Sequence, residues 1–184
     1  LTAVEFEHTT LKTAVVTAGD ASGSREMGAL LAGKLPPAGL RHIFVLSDGL
    51  KVNGSELVKG LAQALPASVS VSGGLSGDDG LFKETFILCA GRPESGMIAA
   101  LGLYGTRLQI GCGSLGGWDA FGPERLVTRA KDNVLYELDG KSALALYKQY
   151  LGEHSKGLPA TGLLFPLCLR SEGGGTGVVR TILA

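Results

Sequence analysis

The segment from residue 121 to residue 152 constrains the fold more than any other part of the chain, because it specifies four consecutive elements. Pro123 precedes a predicted strand at Glu124–Lys131. The pair Asp132-Asn133 is typical of a tight turn, and a second strand is predicted at Val134–Leu138. These features predict an antiparallel pair in this part of the chain.

A helix is predicted directly after this strand pair. The dipeptide Asp139-Gly140 breaks the second strand, and the Asp139 carboxylate is expected to accept hydrogen bonds from the first N–H groups of the helix. The helix is predicted from about Ser142 to Tyr150 and ends at Gly152. Its apolar face is expected to contain Leu144, Tyr147 and Leu151.

The rest of the chain divides into a helix-containing half and a strand-rich half. In the first half, strands are predicted at Val4–His8, Leu11–Thr17, His42–Leu46 and Val69–Ser72, and helices at Arg25–Leu35 and Ser55–Ala64. Further strands joined by short glycine turns are predicted at Thr85–Cys89, Met97–Tyr104 and Arg107–Gly113. The sequence therefore predicts an α/β (mixed α+β) fold, with a mixed sheet and covering helices first and an antiparallel meander second.

Composition excludes several classes of protein. The chain has 184 residues with 17 basic and 17 acidic side chains, a balance that argues against a general nucleic-acid binder and against a polybasic membrane patch. Its apolar runs are shorter than the roughly 18 residues that cross a bilayer. The three cysteines, Cys89, Cys112 and Cys168, lie far apart and are expected to be buried, reduced thiols, which predicts a cytoplasmic protein.

Three segments resemble a known family. Phe44–Leu50 with Asn53–Glu56 resembles that family's strand-to-helix loop, Val71–Asp78 resembles its glycine-rich turn, and residues 121–152 resemble its signature. On these segments the chain is similar to the FIST domain (F-box and intracellular signal transduction proteins). One departure is Ser142, where the family commonly places proline. The resemblance implies an intracellular sensory module that binds small ligands.

The same resemblance predicts how the chain divides. Residues 1–152 would be an N-terminal FIST domain that lacks its beginning, and residues 153–161 a linker. Residues 162–184 would be the first strands of a truncated C-terminal FIST domain, because Phe165–Leu167 and Val178–Leu183 resemble that domain.

Asp48 and Ser55 are the first candidate ligand-binding residues. Asp48 follows a predicted buried strand, and ligands of open α/β sheets commonly bind at the carboxyl ends of strands. Its carboxylate could accept hydrogen bonds from a ligand's amine, while the helix N-terminus near Ser55 could receive a carboxylate. Together they would suit an amino acid. The alternative is that both residues only satisfy backbone groups in a turn and a helix cap.

A glycine-rich loop and the single tryptophan supply the other candidates. Gly73, Gly74 and Asp78 belong to a loop whose backbone N–H groups could hold an anion and whose carboxylates could hold a cation. The favoured alternative is a mobile turn between two strands. Trp118 lies among glycines and could line a ligand site or plug the edge of the core.

The resemblance implies an intracellular sensory domain that binds a small metabolite and signals to a partner protein or domain, and the candidate residues make an amino acid the candidate ligand. No catalytic, metal-binding or cofactor-binding pattern is evident, and neither nucleic acid nor membrane is an expected partner. Two alternatives stay open. One is a hydrolase whose partner residues lie outside this sequence, and the other is a protein-interaction scaffold.

Overall fold

The computed structural model describes residues 3–113, 116–171 and 177–182. The chain forms two compact units, Leu1–Gly113 and Ser114–Ala184. In chain order the first unit contains β1 (Thr10–Thr17), α1 (Ser24–Gly33), β2 (Leu40–Ser47), α2 (Gly54–Ala64), β3 (Ser70–Leu75), β4 (Ile87–Cys89), β5 (Arg92–Glu94) and β6 (Met97–Tyr104).

The first unit is built on a four-stranded mixed sheet with the order β1-β6-β2-β3. Strand β6 is antiparallel to both of its neighbours, β1 and β2, whereas β2 and β3 are parallel and joined through α2. Because β2 and β3 run in the same direction, the loops that follow them emerge at the same edge of the sheet. That edge contains most of the predicted ligand residues.

Helices α1 and α2 cover one face of this sheet. Alternate residues of the strands, such as Val16, Ile43 and Ile98, are almost fully buried in one cluster with Leu31 of α1 and Leu61 of α2. The two helices approach closely where each has a glycine. A Cβ atom on Gly28 would lie 2.4 Å from the Leu57 carbonyl oxygen, and one on Gly60 would lie 2.0 Å from the Arg25 carbonyl oxygen.

The second unit contains the strand pair and the helix that the sequence indicates. Its elements are β7 (Val127–Lys131), β8 (Val134–Leu138), β9 (Lys141–Ser142), α3 (Ala143–Leu151), β10 (Leu167–Leu169) and β11 (Val178–Arg180). Strands β7, β8 and β9 form one antiparallel sheet, and β10 pairs with β11. The predicted mixed α/β fold class is confirmed by the mixed sheet and the antiparallel sheets. Of the strands predicted for the meander, Met97–Tyr104 is β6 of the mixed sheet, and Thr85–Cys89 is shortened to β4, which pairs with β5.

Two details of the predicted helix were wrong. Ser142 is its N-cap and accepts a hydrogen bond from the Ala145 N–H, whereas the Asp139 carboxylate binds Leu126 N–H (2.9 Å) and the Arg125 guanidinium (3.1 Å). The buried face consists of Ala143, Tyr147 and Leu151, and Leu144 is half exposed. The spacing of four residues places those three side chains in one row, from which Leu144 is rotated by one residue.

Several predicted strands differ from the structure. Residues 4–8 and 107–113 form no strand. All of these residues are exposed except Leu108, which is half buried. Strand β3 extends through Gly73 and Gly74, which were predicted to lie in a turn. The predicted linker at residues 153–161 contains short 3-10 helices at Gly152–Gly157 and Ala160–Leu163.

Compact units and family domains are separate ways of dividing the chain. The division into compact units falls between Gly113 and Ser114. The division into residues 1–152, 153–161 and 162–184 stays a prediction, because it describes family domains rather than compact units.

The thiols are more accessible than predicted. Cys112 and Cys168 are exposed and Cys89 is half buried, and all three are free. Cys112 lies in a stretch without regular structure, and Cys168 lies on the two-stranded ribbon of β10 and β11. Within the described residues, no helix has the length and apolar character needed to cross a membrane.

Candidate functional site

The candidate site is built around the end of β2, where the chain enters the loop to α2. Asp48 directly follows this strand, and its side chain is completely buried, with 0% relative exposure. Its backbone N–H donates to the Met97 carbonyl oxygen at 3.0 Å, which extends the pairing with β6 by one bond. A charged side chain at such a position requires hydrogen-bond partners, since burial alone strongly disfavours an ionised carboxylate.

The Asp48 carboxylate has those partners. Oδ1 accepts the N–H groups of Leu50 (2.8 Å) and Lys51 (2.7 Å). Oδ2 accepts the Gly96 N–H (2.8 Å) and the Ser95 hydroxyl (3.2 Å). A carboxylate offers about four acceptor positions, so these contacts use its capacity in this conformation.

The ionisation of Asp48 follows from the same contacts. Burial raises its pKa, but the hydrogen bonds from Lys51, Gly96 and Leu50 outweigh burial and lower the pKa to about 2. Asp48 is therefore ionised near neutral pH, and its carboxylate joins the loop after β2 to the turn before β6.

Two further segments meet the loop after β2. The Ser76 N–H donates to the Ser47 carbonyl oxygen at 2.9 Å, and the Gly49 N–H donates to the buried Thr85 hydroxyl at 3.0 Å. Gly49 has no space for a side chain, since a Cβ atom would lie 2.0 Å from the Ser76 carbonyl oxygen. We call residues 47–51, 75–76, 85 and 95–96 the strand-end cluster.

The predicted capping role of Ser55 was wrong. Helix α2 begins at Gly54, and its N-cap is Asn53, whose side-chain oxygen accepts the N–H groups of Ser55 (3.1 Å) and Glu56 (3.2 Å). Asn53 has the extended backbone of a cap, whereas Ser55 already lies in the first turn. Two N–H groups proposed to receive a ligand carboxylate therefore have a partner within the chain.

The two glycines of β3 differ in what they require. Gly73 is opposite Val45 in the sheet, and a Cβ atom on Gly73 would lie 1.8 Å from the Val45 carbonyl oxygen. Close approach of two backbones is therefore a structural reason for glycine at this position. Gly74 is exposed and has open space around it, so no such constraint explains it.

Asp78 organises the loop that follows β3. Its Oδ1 accepts the Phe82 N–H at 3.0 Å, and its Oδ2 accepts the N–H groups of Lys83 (2.6 Å) and Glu84 (3.3 Å). The hydrogen bond from Lys83 is the largest cause of its lowered pKa, which burial partly opposes. Asp78 thus holds a half-exposed loop that leads to Thr85 of the strand-end cluster.

Trp118 lies in the second unit, in a stretch without regular structure, and its side chain is 53% exposed. It does not plug the edge of a core. The other five predicted residues, Asp48, Ser55, Gly73, Gly74 and Asp78, lie in the first unit at or near the carboxyl ends of β2 and β3.

The sequence analysis missed a hydrogen-bonded trio on the sheet. His42 is 5% exposed, and its Nδ1 and Nε2 lie 2.8 Å from the hydroxyl oxygens of Ser70 and Ser72 respectively. A histidine beside a serine is the pairing that nucleophilic enzymes use, but they add a group that orients the histidine. Among the described residues, both ring nitrogens contact serine hydroxyls and neither contacts a carboxylate. Only the register of β2 against β3 reveals the trio.

The burial of His42 predicts a lowered pKa that can be measured. Burial lowers the pKa of His42 below its ordinary value of 6.5, and the hydrogen bond with Ser70 partly opposes this effect. Because the unfolded chain then binds the proton more readily, the contribution of His42 to stability is complete above pH 6.5 and falls as the pH falls. An NMR titration should give a His42 midpoint below 6.5, and a midpoint at or above that value would contradict the burial of His42.

An open groove lies elsewhere on the first unit. A groove of about 530 Å³ runs along the outer surface of α1 and α2, next to Arg25, Glu26 and Gln63. None of the six predicted residues lines it. Among the described residues, no group of three or more histidine, cysteine or acidic side chains is arranged to hold a metal ion.

Comparison with known proteins identifies the family. The model of the FIST N domain matches residues 1–141, which is well over half of the chain. No curated protein and no solved structure gives a match. FIST domains are sensory domains of signal transduction. Because this match covers well over half of the chain, the chain belongs to the FIST family through its N domain.

Proposed function

We propose that this chain binds a small metabolite at the strand-end cluster and passes the binding state to a partner protein or domain inside the cell. An amino acid is the first candidate ligand. The position supports the proposal, because the cluster lies outside the carboxyl ends of the parallel strands β2 and β3.

The observation that carries the proposal is the Asp48 network. One buried carboxylate binds backbone N–H groups of the loop after β2 and of the turn before β6. Hydrogen bonds from Ser76 and Gly49 add the segment after β3 and Thr85. A ligand that moves any one of these segments therefore changes the hydrogen bonds of the others.

The network assigns Asp48 a positioning role rather than direct contact with the ligand. Its acceptor positions are used within the chain, so a ligand's amine would have to displace a backbone N–H group. Direct contacts fit the surface of the cluster, where Leu50 and Leu75 are exposed, and the half-exposed Asp78 in the loop that follows. Exposed apolar side chains beside polar loop groups suit a small amphipathic molecule such as an amino acid.

Signalling then requires two states of these loops. A ligand changes the output only if it binds one state more tightly than the other. The strand-end cluster is suited to this behaviour because its segments share hydrogen bonds and would rearrange together.

A binding screen tests the proposal. Thermal-shift measurements and calorimetry with the twenty amino acids, common organic acids and nucleotides should identify a ligand that raises the melting temperature in a saturable manner. Gly77→Lys should weaken binding at least tenfold, because Gly77 lies in the loop between β3 and Asp78 and has open space around it. Gly33→Lys is the matched control, since Gly33 ends α1 and also has open space.

Two results would contradict the proposal. One is the absence of any saturable binding across the screen. The other is equal loss of affinity in Gly77→Lys and Gly33→Lys, which would place the ligand away from the strand-end cluster.

A further inference from the structure

The four-stranded sheet has a second face that the helices leave open. Strand register assigns each side chain to a face, because successive residues of a strand alternate. Val45, Ala100 and Ala14 are partners across the covered face, and Phe44, Leu101 and Thr13 are partners across the other. The open face consists of Leu11, Thr13, Val15, Thr17, His42, Phe44, Leu46, Ser70, Ser72, Gly74, Met97, Ala99, Leu101 and Leu103. Met97, at one end of this face, is only 5% exposed.

This open face is apolar at its centre. Phe44 is 42% exposed and Leu46 is 41% exposed, and both belong to the interior strand β2. Leu101 and Leu103 of the adjacent strand β6 are half buried. An antiparallel sheet that faces water on one side normally presents polar side chains there. A contiguous apolar patch marks an interaction surface instead.

None of the fourteen open-face positions, all of them described, is charged. Arg41, the nearest basic residue in β2, falls at the irregularity in register between Leu40 and His42. His42 is held between two serine hydroxyls, and burial lowers its pKa, which favours the neutral imidazole. A partner that fits this face therefore needs no charge of its own at the contact.

A second copy of the same face meets that requirement. Two identical charged surfaces would repel each other, whereas two uncharged ones would not. Both sheets have the same twist, so they can pack face to face in the aligned arrangement of a β-sandwich. A two-fold axis through β2 and β6 would make the contact self-complementary.

The size of the face suits a weak contact. Four strands spaced about 4.8 Å apart and up to about 26 Å long give a footprint of at most roughly 500 Å². Two copies would therefore cover at most about 1,000 Å², which is in the range of weak or transient interfaces.

We propose that the open face of the sheet is the interface of a homodimer, in which two copies of this chain stack β2 and β6 across a two-fold axis. The proposal is independent of the ligand, because the strand-end cluster lies at the edge of the sheet and not on its open face.

Sedimentation equilibrium of the full chain tests this dimer. The unmodified chain should dimerise with a dissociation constant in the micromolar range. Leu46→Lys should weaken dimerisation at least a hundredfold, because it places two like charges in an apolar contact. Leu30→Lys should change the constant less than threefold, since Leu30 is equally exposed (39%) but lies on α1.

Circular dichroism separates loss of the interface from loss of the fold. Leu46→Lys and a second variant, Leu11→Lys, should keep the spectrum and melting temperature of the parent chain while sedimenting as monomers. The proposal is wrong if the unmodified chain stays monomeric to about 100 µM. It is also wrong if Leu46→Lys and Leu30→Lys dimerise equally, because the interface would then lie elsewhere.

Discussion

Asp48→Asn is expected to lower the free energy of unfolding at pH 7 by about 3 kcal/mol. Asparagine replaces one carboxylate oxygen with an NH₂ group, which cannot accept a hydrogen bond. About half of the four hydrogen bonds to the carboxylate would therefore be lost. The melting temperature should fall by roughly 6–12 °C. Urea unfolding at pH 7 measures the change, and Asp78→Asn is the control at a half-exposed carboxylate.

The same residue makes stability depend on acid. The pKa of Asp48 is about 2 in the folded chain, against an ordinary value of 3.8, so the unfolded chain binds the proton first as the pH falls. Its contribution is complete above about pH 4 and is lost as the pH falls through about 2, and it amounts to about 2 kcal/mol. Asp48→Asn should remove this part of the pH dependence. An unchanged acid profile in the variant would show that the carboxylate is not the group that titrates.

Gly60→Ala is expected to destabilise the first unit by about 2–3 kcal/mol. The added Cβ atom would lie 2.0 Å from the Arg25 carbonyl oxygen, so α1 and α2 would have to move apart. The higher helix propensity of alanine offsets only about 0.5–1 kcal/mol of this cost. Thermal and urea unfolding measure the balance.

Gly33→Ala is the matched control for the helix crossing. Gly33 belongs to α1, but nothing lies within 4 Å of a Cβ atom at this position. Its replacement should leave stability unchanged or raise it by up to about 0.5 kcal/mol. If both substitutions changed stability equally, the close contact of the two helices would not explain the glycine at position 60.

The elements of the first unit could be predicted where the sequence pattern is local. The apolar run at residues 42–46 and the period of the Ser55–Ala64 helix predict β2 and α2 to within one or two residues. Asn53 and Ser55 are both residue types that cap helices, and only backbone geometry shows which of them is the cap. The prediction at residues 107–113 failed because apolar composition alone does not provide a strand partner.

The location of the candidate site could be predicted from the sequence, but the hydrogen bonds within it could not. A loop after a buried strand indicates the carboxyl edge of a sheet, and five of the six predicted residues lie at or near it. The role of Asp48 depends on Ser95 and Gly96, which are 47 and 48 residues away, so no local pattern reveals it. The trio of His42 with Ser70 and Ser72 likewise depends on strand register.

The central claim is that a small metabolite binds at the strand-end cluster, whose segments respond together. A ¹H–¹⁵N NMR titration of the full chain with the ligand from the screen tests it most directly. The amide signals of residues 47–51, 75–76, 85 and 95–96 should shift together and saturate at one ligand concentration. Saturable shifts confined to other residues, such as those along the groove of α1 and α2, would contradict the claim.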